Sequence, residues 1–234
     1  MLTIAHRINT IAQLEATPTE YGVELDLRDR GDRLILQHDA FADGEDFEDY
    51  LRHYRHGLMI LNVKSERIEH RVLELVRRAG VENYFFLDSS FPMIRTLVRQ
   101  GELRVAVRFS EFEPVESALA LAGQVEWAWI DCFTRMPLDA HSYNRLKAAG
   151  FRLCAVSPEL QGRDASTIAE YREQLAPYPV DAVCTKRPDL WQLPSPPRGE
   201  AGSGDSPRAE MTSAERDRFV DNPSPTPSLQ GRGI

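Results

Sequence analysis

The sequence predicts an α/β fold, a compact (β/α)₈ TIM barrel with a disordered C-terminal tail, and three observations carry that prediction. Eight short runs rich in β-branched and aromatic residues recur along residues 1–192. Segments with the apolar spacing of a helix separate most of them, so strand and helix alternate as a parallel sheet requires, and eight such units close naturally into a barrel. After Trp191 the composition breaks, with residues 193–234 holding 7 of the 15 prolines and one aromatic, Phe219.

Taken in order, the strand runs are LTIAHR (2–7), GVELDLR (22–28), LMILNVK (58–64), NYFFLDS (83–89), LRVAVRF (103–109), VEWAWIDCF (125–133), FRLCAVS (151–157) and VDAVCTK (180–186). A further extended run, RLILQHD (33–39), returns from the second strand across the turn DRGD, where Gly31 supplies the tight bend. After the third strand, Ile68, Val72, Leu75, Val76 and Ala79 share one helical face, and Gly80 stops the helix. The segments PMIRTLVRQG and SYNRLKAAG repeat the arrangement and close on Gly101 and Gly150. The 192 residues fall just under the roughly 200 usual at the short end of such barrels, so the loops are short and leave little room for a separate substrate-binding insertion. No strand is followed by GxGxxG or GxxxxGK[ST], which leaves an open dinucleotide-binding or P-loop sheet without support. The tail at 193–234 has too little apolar surface to offset its ordering entropy, apart from a short helix expected around 212–220.

Lys and Arg total 28 against 36 Asp and Glu, a formal charge of −8, which argues against duplex nucleic acid or an anionic membrane surface as a partner. There is no apolar run near the roughly 18 residues of a membrane span and no secretory leader pattern, so a cytoplasmic protein is expected. Cys132, Cys154 and Cys184 form no CxxC pair and are expected as buried thiols. The sequence leaves the oligomeric state open.

Active sites of such barrels sit at the C-terminal ends of the strands. There the first strand ends in His6-Arg7, and the second carries Glu24 and Asp26, two apart and therefore on one face. Val23, Leu25 and Leu27 then face the helices while both acids face the barrel mouth. Two confined carboxylates repel one another unless a cation lies between them, and hard divalent cations such as Mg²⁺ or Ca²⁺ favour oxygen ligands. The competing reading pairs one acid with Arg28 or Arg7. Asn62 and Lys64 share a face of the third strand: Asn62 can offer its carbonyl to the cation, and Lys64 can neutralise an anionic substrate group. His38 ends the extra extended run and folds back over the mouth, so His6 and His38 flank the acids as a general acid and base. Asp88, Ser90, Arg108, Ser110, Glu111, Asp131 and Lys186 also fall near strand ends and could line the pocket, although structural ion pairing accounts for each equally well.

The series IAHR, GVELDLR, LILQHD resembles the opening signature of the glycerophosphodiester phosphodiesterase family, a branch of the phospholipase C-like phosphodiesterases. LNVKSE stands where that family has a Glu-x-Lys strand, LDSSFPMIRTL is similar to its Ser-Phe segment, and VDAVCTKRPDLW to its closing strand, so the resemblance covers about residues 1–191. It implies a metal-dependent hydrolase of a small phosphodiester, with His6 and His38 catalytic, Arg7 and Lys64 on the phosphate, and Glu24 and Asp26 on the metal. This chain is a short, divergent match. HRINTIAQ lacks the family's Gly after HR and its downstream Glu, leaving Asn9-Thr10, and HRINTI is also similar to the HxxN segment of sphingomyelinase D-type enzymes. Asn62 replaces the third acidic ligand, and only 18 residues separate Asp39 from Leu58, so the insertion associated with glycerol recognition is missing. Two rivals remain: a non-catalytic barrel that binds a phosphorylated ligand, and an aldolase-type barrel with Lys64 or Lys186 as Schiff-base amine.

Overall fold

Strands buried on both faces need continuous apolar runs, and the structure, a computed structural model, places a strand on every run read from the sequence. In chain order they are β1 (Leu2–Ala5), β2 (Gly22–Arg30), β3 (Arg33–Leu36), β4 (Glu45–Asp46), β5 (Met59–Val63), β6 (Tyr84–Leu87), β7 (Ala106–Phe109), β8 (Trp127–Ile130), β9 (Arg152–Val156) and β10 (Ala182–Thr185). The structure describes residues 1–192, and the expected disordered tail at 193–234, with its helix around 212–220, lies outside the described residues.

Parallel pairing runs β6–β5–β2–β1–β10–β9–β8–β7. A single parallel bridge, Phe86 to Val105, joins the two ends, with the Phe86 amide donating to Arg104 O at 2.9 Å. The ring therefore closes as an eight-stranded barrel, and this seam is its most thinly paired join. The connecting helices are α1 (Ile11–Ala16), α2 (Phe47–His53), α3 (Glu69–Arg78), α4 (Phe91–Arg99), α5 (Val115–Leu119), α6 (Ala140–Ala148), α7 (Thr167–Leu175) and α8 (Pro188–Trp191). Helices α3, α4 and α6 are followed by Gly80, Gly101 and Gly150, each at positive φ, as the terminators in the sequence require.

Strand β2 outruns the barrel and folds back as an antiparallel hairpin with β3, in register from Leu27–Leu36 to Arg30–Arg33. The two-residue β4, which nothing in the sequence marks, pairs with Ile35 and Leu36. It leads directly into α2, whose first turn is capped by the Asp46 carboxylate accepting from Glu48 N and Asp49 N. The hairpin carries His38 to the barrel mouth.

The core has two layers. Val23, Leu25 and Leu27 are fully buried between sheet and helices, while the alternate residues of β2 point inward. Inside the barrel, Phe85 and Trp127 stack at 4.5 Å across the seam, and Arg152 lies over the Trp127 ring at 4.0 Å. Their combined bulk fills the interior near the one place where strand pairing is thin. All three cysteines are buried and unpaired, as expected.

Gly22 admits no side chain. A Cβ there would lie 2.4 Å from Ile4 Cδ1 and 2.5 Å from the Leu58 carbonyl oxygen. Gly22→Ala is expected to cost about 1–3 kcal/mol by overpacking, read as a lower thermal midpoint in calorimetry. An unchanged midpoint would show that β1 and the approach to β5 yield without cost.

Candidate active site at the barrel mouth

Two residues apart on β2, Glu24 and Asp26 are each 1% exposed and point into the mouth. The chain leaving β1 is moulded around them. Arg7 takes φ 59°, a left-handed conformation costly for a residue with a Cβ. That turn lets Arg7 N donate to Glu24 Oε2 at 2.7 Å and Ile8 N donate to the Glu24 carbonyl at 2.8 Å. Asn9 then pairs with Asp26 twice: its Nδ2 donates to Asp26 Oδ2 at 2.9 Å, and its Oδ1 accepts from Asp26 N at 2.9 Å. Arg7 Nε approaches Asp26 Oδ2 at 3.5 Å, so the competing reading holds for Arg7. Arg28 instead donates to the carbonyls of His38 and Lys64, at 2.8 and 2.9 Å, and ties the hairpin to the end of β5.

On β5, in register with Asp26, Asn62 donates from Nδ2 to Glu24 Oε1 at 2.8 Å, and its buried Oδ1 has no hydrogen-bond partner. Burial and the neighbouring Asp26 push the Glu24 carboxyl up to about 7, against the opposing pull of Asn62, Arg7 N and Lys64. His6 Nε2 lies 3.7 Å from Glu24 Oε2, and its Nδ1 is buried without a partner. Burial, followed by the charges of Arg7, Lys186, His38 and Lys64, lowers His6 to about 3, so it is uncharged at neutral pH. His38 is half-exposed, with Nδ1 2.8 Å from Asp39 Oδ1.

A belt of alternating charge completes the rim. Lys64 Nζ lies 3.7 Å from Asp26 Oδ1 and 3.2 Å from Asp88 Oδ2. Arg108 donates from Nη2 to Asp88 Oδ1 at 2.6 Å and from Nη1 to Asp131 Oδ2 at 2.5 Å. The other oxygen of Asp131 accepts from Cys132 N and Gln161 Nε2. All seven residues read from the sequence, His6, Arg7, Glu24, Asp26, His38, Asn62 and Lys64, line one cavity of about 170 Å³. Asp88, Arg108, Asp131 and Trp129 line it too, whereas Ser90, Ser110, Glu111 and Lys186 do not. Gln161 and the clamping role of Asn9 escaped the sequence reading. The only signal for Asn9 was its place just past HR.

The arrangement offers two imidazoles, one uncharged and mostly buried and one at the rim, beside cations that can meet an anion. Glu24, Asp26 and Asn62 are the oxygen donors that could hold a hard divalent cation. Among the described residues no group of three or more His, Cys, Asp or Glu that could hold a metal ion is found, and beside the two acids the Asn62 Oδ1 has no hydrogen-bond partner. No helix among the described residues is long and apolar enough to cross a membrane.

The fold is similar to that of glycerophosphodiester phosphodiesterase from Agrobacterium tumefaciens str. C58, with TM-score 0.64 and 18% identity over 82% of this chain and 99% of that one. It is similar as well to a glycerophosphoryl diester phosphodiesterase from Parabacteroides distasonis ATCC 8503, with TM-score 0.58 and 14% identity over 81% and 84% of the two chains. A mutant tryptophan synthase α-subunit from Pyrococcus furiosus matches at TM-score 0.52 and 12% identity, over 79% of this chain and 85% of that one. At these identities the likeness is one of fold. No family model and no curated protein matches the chain.

Removing the Asn9 side chain strands the buried Asp26 amide and takes one donor from its carboxylate. Asn9→Ala is expected to lower unfolding free energy by about 1–3 kcal/mol in denaturant titration, and Asn9→Asp by more, since it adds a third acid. Wild-type midpoints for both variants would mean that the pairing contributes nothing net.

Proposed function

We propose that this barrel is a divergent phosphodiester hydrolase similar to the glycerophosphodiester phosphodiesterases, metal-dependent and using two histidines as acid and base. One observation carries the reading: both residues of HR, both acids of ExD, the histidine of HD and both polar residues of NxK converge on a single cavity at the C-terminal end of the strands, in a barrel fold similar to that of two such enzymes. The substrate class is a small-molecule phosphodiester.

Glu24, Asp26 and Asn62 would hold a cation such as Mg²⁺ or Ca²⁺, which supplies Lewis-acid polarisation of a non-bridging phosphate oxygen. The unpartnered Asn62 Oδ1 and the raised Glu24 carboxyl support that fit, since a cation relieves both. Arg7, whose Nε is buried without a hydrogen bond, and Lys64 spread the charge that develops on the phosphoryl oxygens. Uncharged His6 takes the proton of the attacking hydroxyl, and the anionic phosphate beside it raises its basicity for that step. His38 carries its second ring nitrogen opposite the Asp39 contact and protonates the leaving alkoxide. If the nucleophile is water the products are a monoester and an alcohol. If it is a neighbouring substrate hydroxyl, the product is a cyclic phosphate.

The Schiff-base rival loses support: Lys64 is engaged by two carboxylates, and Lys186 lies outside the cavity. The binding-protein rival rests on Asn62, which brings no charge to the cation, and on the Glu missing after HR.

Turnover of bis(p-nitrophenyl) phosphate and of glycerophosphodiesters with Mg²⁺, Mn²⁺ or Ca²⁺ tests the reading. His6→Ala and His38→Ala should each lower kcat/KM by about 10²–10⁴, and chelation should abolish turnover. A phosphodiester that binds but is released unchanged under every metal condition would establish the non-catalytic barrel instead. Asn62→Asp restores a third carboxylate and should lower the metal concentration needed for half-maximal activity or thermal stabilisation. No shift in either would remove Asn62 from the proposed cation site.

A further inference from the structure

Helix α5 has five residues and stands beside the thinly paired seam between β6 and β7. Between α4 and α5 the wall is consequently under-covered, and a cleft of about 640 Å³ opens there, within the range of roughly 300–1,000 Å³ typical of small-molecule sites. Phe91, Ile94, Val107, Phe112 and Leu121 supply its apolar lining. Phe91 and Phe112 are 62% and 71% exposed, and Phe112 lies against Phe133 at 5.9 Å. Phe91, Phe112 and the 37% exposed Phe133 each follow the C-terminal end of a parallel barrel strand, β6, β7 and β8, and so belong to the mouth of the barrel. Water-facing rings concentrated at one end of a fold mark a place where something apolar binds.

The cleft continues from the phosphate site. Asp88 and Arg108, held together by their ion pair, line both cavities and form the partition between them. Ser89, next to this partition, lines the cleft, and its buried Oγ has no hydrogen-bond partner. We propose that one alcohol group of the phosphodiester carries an apolar arm, an alkyl or acyl chain, that crosses the Asp88–Arg108 partition and lies in the α4–α5 cleft. Ser89 Oγ meets an oxygen that links arm to phosphate. This inference rests on the hydrolase reading and specifies its substrate class. A polar head with no chain leaves the cleft and its phenylalanines unused.

The test is a series of alkyl p-nitrophenyl phosphates, methyl to octyl, kept below their micelle concentrations. Each fully buried methylene is worth about fourfold, so partial burial predicts a rise in kcat/KM of at least about tenfold from methyl to octyl. Phe112→Asp, at an exposed position, and Ser117→Trp, which fills the cleft, should flatten the series. Calorimetric binding of non-hydrolysable methyl and octyl phosphonate monoesters gives the same comparison without turnover. Turnover of the whole series with no length dependence would overturn the arm while leaving the hydrolase standing. Length-dependent phosphonate binding lost in both variants, with no turnover of any diester, would support the cleft and sink the hydrolase. A flat series, together with sedimentation on phosphatidylcholine vesicles that Phe112→Asp abolishes, would overturn the arm in favour of lipid-surface docking.

Discussion

The mouth of this barrel is organised by the desolvation of two carboxylates on one strand. Glu24 and Asp26 lie two residues apart with 1% exposure each, and neither can stay charged there without donors or positive charge close by. Arg7 N, Asn62 Nδ2 and Asn9 Nδ2 supply the donors, while Arg7 and Lys64 supply the charge. Each contact fixes a different element. The backbone of Arg7 must enter a left-handed turn, the segment leading to α1 is pinned through Asn9, and β5 is held in register through Asn62. The same demand that shapes the β1 turn therefore places His6 3.7 Å from Glu24.

Across the ring the constraint relaxes. Strand β2 pairs with β5 over five residues, whereas β6 meets the run into β7 through one bridge. The thin side is propped from within by Phe85 and Trp127 and from the rim by Arg108 between Asp88 and Asp131. Polar contacts concentrate around the acids, and a cleft lined by both apolar and polar residues opens between α4 and the five-residue α5. A short barrel thus has, beside its charged site, a cleft of mixed lining that carries the exposed rings of Phe91 and Phe112.

Much of this was legible in the sequence because the signals are periodic. Parallel strands covered on both faces must be apolar throughout, so GVELDLR and LMILNVK could be placed, and the period of two sent Glu24, Asp26, Asn62 and Lys64 to one side. The two-residue β4 carries no such signal, since Glu45 and Asp46 pair only because the edge of β3 is at hand. Asp88, Arg108 and Asp131 could be picked out at strand ends as pocket-lining or ion-paired residues, but not which pairs with which. Whether such residues join one another depends on barrel closure, and Gln161 reaches Asp131 from a single 3₁₀ turn after β9. Nor does a sequence distinguish an exposed phenylalanine such as Phe112 from a core one such as Phe109.

On the proposed reading, a bound cation would set the charge balance of the phosphate site. Arg7, Lys64 and Arg108 face Glu24, Asp26, Asp88 and Asp131 around one cavity. With all four acids ionised the mouth carries one net negative charge, and with Glu24 protonated it is neutral. Neither state attracts an anion, and Arg108 is already engaged by two carboxylates. A divalent cation among Glu24, Asp26 and Asn62 would hold Glu24 ionised and turn the mouth net positive by one charge. That surplus matches a phosphodiester, which carries a single negative charge, and it would be overmatched by a dianionic phosphate monoester. Having Asn62 rather than a third acid is consistent with this balance, because another carboxylate would leave the metal-loaded site neutral and remove the surplus that draws the diester in.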